Sequence, residues 1–274
     1  MNALIKLSFP ATHGFWEVPV LYEDEHLLAL DKPAGLLTSP DRYDPQRPNL
    51  MKLLHAGIST GKPWARERAL DYLMNAHRLD FETSGVLLLA KSKPVLVALA
   101  NQFGSEKPIK EYAALVRGNP ASDEFEIDAR LAPHPKDPAR MRVDPKRGKK
   151  SRTRVQVVQR FRGFALLKCL PLTGRTHQIR VHLCHVGLPI AGDSVYGGPP
   201  LFLSSLKPDY RKKKGEPERP LIGRTALHAE TLRLAHPVTQ AELTISAPWP
   251  KDLTVAVKYL QRFAGTPLAQ PDTE

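Results

Sequence analysis

His77-Arg78-Leu79-Asp80-Phe81-Glu82-Thr83-Ser84-Gly85-Val86-Leu87-Leu88-Leu89-Ala90 is the stretch on which the reading of this 274-residue chain turns. Its second half is a short continuous apolar run after a glycine, the pattern of a buried strand. Its first half sets an arginine and a lone aspartate ahead of a small Thr83-Ser84-Gly85 turn that opens that strand. An aspartate in such a place is most often a cap or turn residue. Here Arg78 stands two residues earlier, and a carboxylate held beside cations stays ionised. An ionised, partly desolvated carboxylate can serve as a nucleophile or a base.

Working outward, Val20-Leu21-Tyr22 and Leu27-Leu28-Ala29-Leu30 flank the polar turn Glu23-Asp24-Glu25-His26 and predict a hairpin, ended by Asp31-Lys32-Pro33-Ala34-Gly35. Residues 1–17 show no clear period and read as an arm. Leu50 to Ile58 predicts a short helix. Pro94 to Phe103 predicts another, with Pro94 in its first turn and Val95, Leu99 and Phe103 on one face. Glu111 to Val116, Val155 to Gln159 and Phe164 to Leu170 read as strands. Thr176 to Val186 reads as a helix with Thr176 as N-cap and Gly187 just past its end; Ile179, Leu183 and Val186 share its buried face, and His177, Arg180 and Cys184 another. Leu227 to Leu234 and Leu243 to Ile245 predict a closing hairpin, and residues 264–274 a frayed tail. Hairpins outnumber crossovers, so the expected class is α+β with a mixed, mainly antiparallel sheet and flanking helices. No internal repeat is evident.

Forty Lys and Arg against 28 Asp and Glu give a net charge of +12. Such a surplus points to nucleic acid, to an anionic membrane, or to solubility alone. No apolar run is long enough to span a bilayer, and Met1-Asn2-Ala3-Leu4-Ile5-Lys6 lacks the apolar stretch of a secretory signal. The two cysteines, Cys169 and Cys184, make no disulfide framework, so a reducing cytoplasm is the simpler setting.

Four further clusters bear on chemistry or on RNA. Gly174-Arg175-Thr176-His177-Gln178-Ile179-Arg180-Val181-His182 places two arginines and two histidines at the start of a helix, which reads as an anion site. A metal site built from His177, His182, Cys184 and His185 lacks an ordinary zinc spacing. Tyr112, in Lys110-Glu111-Tyr112-Ala113-Ala114-Leu115-Val116, is either a packing residue or, at the end of a cleft, one that stacks on a base or moves a proton. The run from Asp144 to Arg154 is basic, with Lys146, Arg147, Lys149 and Lys150 close together; it is a solvated loop or, given an RNA ligand, a phosphate contact. A second basic run, Arg211-Lys212-Lys213-Lys214, sits in a polar insertion over 199–222.

Taken together, His77 to Gly85, Lys110 to Val116 and Thr173 to His182, with the extension Gly187 to Gly197, resemble the RluA-type pseudouridine synthases. Asp31-Lys32-Pro33-Ala34-Gly35-Leu36 and Leu227-His228-Ala229-Glu230 support the match, in the family's order. The resemblance implies one catalytic domain over 18–263 with a central active-site cleft, and isomerisation of uridine to pseudouridine in ribosomal or transfer RNA without a cofactor or metal. It makes Asp80 the nucleophile, Tyr112 the residue that stacks on the base and takes a proton from C5, and Arg180 the ion-pair partner of the catalytic aspartate. Arg78 helps eject the nucleotide, and His77, Arg175, His177 and the four basic loop residues are expected at the RNA. Many relatives carry an S4-type domain before the catalytic one, for which fewer than twenty residues are too few. A monomer is the expected state. The alternatives are an RNA-binding protein of the same fold without activity, and a hydrolase using Ser84, which lacks the Gly-x-Ser-x-Gly elbow.

Overall fold

The computed structural model describes residues 4–9, 13–41, 44–137, 139–211 and 215–265. The first elements are strands β1 (Leu4–Phe9), β2 (Gly14–Glu23) and β3 (Leu27–Lys32), then helices α1 (Leu50–Ser59) and α2 (Pro63–Arg66). Strands β4 (Met74–Asn75) and β5 (Ser84–Ala90), helix α3 (Lys93–Gly104) and strand β6 (Ile109–Arg117) follow. Next come β7 (Glu124–Asp128), β8 (Leu131–Pro133), β9 (Met141–Val143), β10 (Arg152–Phe161), β11 (Phe164–Pro171) and α4 (Gln178–His185). Strands β12 (Leu227–Ala235) and β13 (Glu242–Ser246) and helix α5 (Lys251–Ala264) complete the chain. The class is α+β, as the run of hairpins predicts. The chain divides into two compact units.

The first unit comprises Met1–Tyr112 and Leu227–Trp249. Its strands lie in the order β1-β2-β3-β5-β12, with β13 on β12 and β4 on β5. All described pairings there are antiparallel except β12 on β5, which is parallel and sets His228 opposite Ser84 and Ala229 opposite Gly85. Strand β5 is buried throughout, and its apolar run Val86 to Ala90 follows from both of its faces being covered. Leu28, Leu30, Leu87 and Leu89 join one core with Leu50, Leu54 and Trp64. Leu27, Ala29, Val86, Leu88 and Ala90 join another with Val95, Leu99 and Ile245. Each buried leucine contributes about 1.5–3 kcal/mol. A one-residue slip of β5 against β3 would exchange the two sets.

Strand β1 corrects the expected arm. Ile5 and Leu7 are buried while Leu4 and Lys6 are exposed, a period of two that pairs with Val18 and Trp16 on β2. The run is only six residues, which is why its period is faint.

The second unit comprises Ala113–Ala226 and Pro250–Glu274. Strand β10 lies between β7 and β11, antiparallel to both, and β8 and β9 form a separate hairpin. Helix α5 buries Leu253, Ala256, Val257, Leu260 and Ala264, a helical spacing along one face. Its start is tied by a bidentate ion pair from Arg224 to Asp252, at 2.7 and 3.0 Å. The frayed tail expected over 264–274 lies outside the described residues beyond 265. So do Lys212, Lys213 and Lys214 of the insertion. The insertion is closed at its base, where Leu201 and Ile222 bridge and are both buried.

Helix α4 begins two residues later than expected. Thr176 does not cap it; His177 precedes the first turn in the left-handed region at φ 52°. The local turn is shaped instead by buried Gln178. Its Oε1 accepts from the Arg175 N–H at 3.0 Å and from the Thr173 hydroxyl at 2.6 Å. Its Nε2 donates to the Arg152 carbonyl at 2.9 Å. Ile179 and Leu183 are buried as expected, but Val186 is exposed because the helix has already ended at His185.

Candidate active site

Asp80 is half-buried in a turn of the first unit whose backbone groups are held from several sides. The turn closes on itself by a bond from the Thr83 N–H to the Asp80 carbonyl, 3.2 Å. On the upstream side the Thr38 hydroxyl donates to the Leu79 carbonyl at 2.9 Å and accepts from the Leu79 N–H at 3.1 Å. The Gly35 N–H donates to the Phe81 carbonyl at 2.8 Å. Further upstream, Asn75 Nδ2 donates to the His77 carbonyl at 2.8 Å. Downstream, Ser84 and His228 share a buried hydrogen bond of 3.0 Å. At Gly85 φ is +111°, and a Cβ there would overlap the Ala229 backbone. Glycine is therefore required where the turn becomes β5.

The other sequence-derived residues of this unit divide by exposure. Arg78 is exposed. His77 is spent on the scaffold: its Nε2 accepts from the Leu88 N–H at 3.1 Å, and its ring stacks on Phe103 at 5.1 Å between centroids. Burial, aided by the Lys110 charge, lowers its pKa to about 4, so the ring is neutral at pH 7. Tyr112 lies against the core that holds Leu79. Burial, and secondarily the negative charge of Asp80, raise its phenol well above the usual range. A phenol so held is protonated; it can stack and donate a hydrogen bond, and it is a poor proton acceptor until it has lost its own proton. Asp31, one strand away, is pushed up to about 6 by burial, against the opposing effects of Lys32 and of a bond from the Gly85 N–H.

In the second unit, Arg180 projects from α4 and is buried. Its Nε and Nη2 donate to Asp193 Oδ2 and Oδ1 at 2.6 and 2.9 Å. The Tyr196 ring lies 4.9 Å from its guanidinium carbon. The Tyr196 hydroxyl in turn meets His177 Nδ1 at 2.8 Å and accepts from the Met141 N–H at 2.9 Å. The left-handed His177 is thus stabilised by a specific partner. Asp193 and Tyr196 lie in the stretch that carries the resemblance, but sequence reasoning gave them no task. His182 is buried among Thr153, Ala129 and Ser151, with its pKa lowered mainly by burial. Among the described residues no group of three or more His, Cys, Asp or Glu is placed to hold a metal ion. Both thiols are free.

The basic loop is more ordered than a solvated loop need be. Asp144 Oδ1 accepts from the Lys146 and Arg147 N–H groups at 3.1 and 2.9 Å, and Leu131 and Lys149 exchange both backbone bonds. Lys146, Arg147, Lys149 and Lys150 are all exposed. The basic run is not uniform, however. Arg152 and Arg154, on β10, face Glu126 of β7 at 3.4 and 4.0 Å. Arg175 Nε donates to the Lys150 carbonyl at 3.1 Å.

The Asp80 turn is gripped through its backbone, and Tyr112 lies near enough to feel the Asp80 charge. A family model described as RNA pseudouridylate synthase matches residues 26–185. Among curated proteins, the ribosomal large subunit pseudouridine synthase D of Xanthomonas campestris pv. campestris is 36% identical over 248 residues, covering 85% of this chain and 66% of that one. The protein of the same name from Nitrosomonas europaea is 35% identical, covering 92% and 68%. The chain spans just under two thirds, 66%, of the length of the Xanthomonas relative. Among solved structures, Human RNA Pseudouridylate Synthase Domain Containing 4 has the same fold, with a TM-score of 0.66 at 22% identity over 91% of this chain and 94% of that one. The chain belongs to the RNA pseudouridylate synthase family.

Among the described residues no helix is long and apolar enough to cross a membrane.

Proposed function

We propose that the protein isomerises uridine to pseudouridine in RNA with Asp80 as the essential carboxylate and no cofactor. The observation that carries this reading is the Asp80 turn, whose flanking residues Leu79 and Phe81 are both held by backbone hydrogen bonds. In the proposed reaction the target nucleotide leaves its stack, with Arg78 helping to eject it. The N1–C1′ bond breaks, the freed uracil turns, a C5–C1′ bond forms, and the proton lost from C5 is balanced by one gained at N1. Asp80 attacks C1′, attacks C6, or removes the C2′ proton; all three routes need an ionised carboxylate. Tyr112, held protonated, stacks on the base. Arg180 keeps the charge-balancing role that the resemblance implies, with Asp193 and Tyr196 fixing its guanidinium plane. Lys146, Arg147, Lys149 and Lys150 contact phosphate. Arg175 and His177 lie beside that loop or at the start of α4 and contribute to RNA binding.

The curated relatives are named for the large ribosomal subunit, which makes its RNA the first substrate to test and transfer RNA the second. We place the enzyme in the cytoplasm, acting as a monomer. The test is Asp80→Asn with large-subunit RNA from cells lacking the gene. The variant is expected to bind this RNA as the unaltered protein does and to form no pseudouridine. Turnover by a clean preparation of the variant removes Asp80 from the mechanism. Tight binding without turnover by the unaltered protein, on both RNA classes, favours an RNA-binding protein of the same fold.

A further inference from the structure

We propose that Thr38 is a positioning residue for Asp80: its hydroxyl grips both polar backbone groups of Leu79 and so sets where the neighbouring carboxylate stands. This rests on the reading of Asp80 as the reacting carboxylate. Thr38 is 2% exposed and Leu79 3%, so water does not compete for these bonds. One oxygen serves both directions, giving its proton to the Leu79 carbonyl at 2.9 Å and receiving the Leu79 N–H at 3.1 Å. Leu79 is joined to Asp80 by a single planar peptide, so a displacement of one is carried to the other.

The grip is mounted on a rigid support. The Thr38 carbonyl accepts from the Met51 N–H at 3.1 Å, and the Leu37 carbonyl from the Leu50 N–H at 2.8 Å. These bonds fasten Thr38 to the first turn of α1. That turn is capped by the fully buried Asn49, whose Oδ1 accepts from the Lys52 N–H at 2.9 Å. The loop leading to Thr38 is shaped from within. Lys32 is fully buried, and its Nζ donates to the Pro33 and Leu36 carbonyls at 2.7 Å each. The same loop supplies the Gly35 N–H that holds the Phe81 carbonyl. The residues on both sides of Asp80 are therefore held by one short segment, 35–38, and the carboxylate is carried between two fixed points.

An arrangement of this kind matters to a reaction more than to binding, because a misplacement of about 1 Å at a reacting group costs on the order of a hundredfold in rate. Thr38→Val keeps the shape of the side chain and removes the hydroxyl. Its kcat is expected to fall about tenfold or more while KM for RNA stays within about twofold. Thr38→Ser restores the hydroxyl and is expected to recover kcat to within about threefold of the unaltered enzyme. Three results overturn the proposal: a Thr38→Val kcat within about twofold of the unaltered enzyme, a Thr38→Ser kcat as low as that of Thr38→Val, or a loss confined to KM. Hydrogen exchange in the unaltered protein decides the matter even if Thr38→Val fails to fold. The Leu79 amide should exchange with the slowest class of the first unit, and exchange at the rate of exposed loop amides also overturns the proposal. Asp80→Asn runs as a control. If it turns over, the reading of Asp80 fails, whereas an inactive Asp80→Asn beside an unimpaired Thr38→Val fails the positioning role alone.

Discussion

The segment from His77 to Gly85 and the segment from Arg175 to Tyr196 each combine histidine, arginine and aspartate, but they hold their charges by different means. Around Asp80 the bonds that fix the turn run to the backbone of Leu79, Phe81 and Asp80. Around Arg180 the fixing is ionic, through both oxygens of Asp193. In both segments a histidine that reads as chemistry is a neutral anchor: His77 accepts from Leu88, and His182 sits among Thr153 and Ala129. A turn pinned through its backbone has its position set by neutral groups. An arginine locked to a carboxylate has its orientation set in advance.

The contrast gives an ordered series of tests. Gly85→Ala should be the most damaging, because its Cβ meets the Ala229 backbone at positive φ, and a loss above about 4 kcal/mol is expected in denaturant unfolding. A mild effect would mean that the Asp80 turn has slack. Asp193→Asn should cost about 3 kcal/mol, since it leaves the buried Arg180 without its full counter-charge. A near-neutral result would make the two segments alike after all.

The anchoring histidines predict a pH dependence. His77 has a folded pKa of about 4 against 6.5 for a free side chain, and that of His182 is also lowered. The unfolded chain therefore takes up protons first as pH falls. The His77 contribution is whole above about pH 6.5 and is lost progressively toward pH 4, by about 1–3 kcal/mol. His77→Gln should flatten the slope of stability against pH in that window. An unchanged slope would remove His77 from the list of anchors.

At the surface the effects shrink. Replacing Lys146, Arg147, Lys149 and Lys150 by alanine should weaken RNA binding and lower the slope of log affinity against log salt by about 3 if all four meet phosphate. An unchanged slope would put this loop away from the RNA. Arg154→Ser should change stability by less than about 0.5 kcal/mol, because its exposed pair with Glu126 is screened.

What the sequence conveyed follows from the range of the forces involved. The two-sided burial of β5 is written in consecutive residues, Val86 to Ala90, and was legible. So were the hairpins, α1, α3 and the motif residues Asp80, Tyr112 and Arg180, whose specific roles await the tests above. Helix α5 was legible in principle, through the spacing of Leu253, Val257 and Leu260, but lies outside the motifs that drew the reading. Thr38 gave no signal: it acts on a residue 41 positions away, and nothing local distinguishes it from any loop threonine. The start of α4 misled for a related reason. A Thr at that position is a good N-cap by composition, but the long side chain of Gln178 reaches back and shapes the turn first.

One feature of chain order has a consequence for synthesis. Residues Leu227–Trp249 complete the first unit, and the second is completed only by Pro250–Glu274. A ribosome emits Asp80 and Arg180 before either unit is complete, and for that interval Leu88 and Leu99 lack Leu232, Leu234 and Ile245. A nascent chain released at Ala226 should thus be a substrate for chaperones and proteases rather than one finished half of the protein.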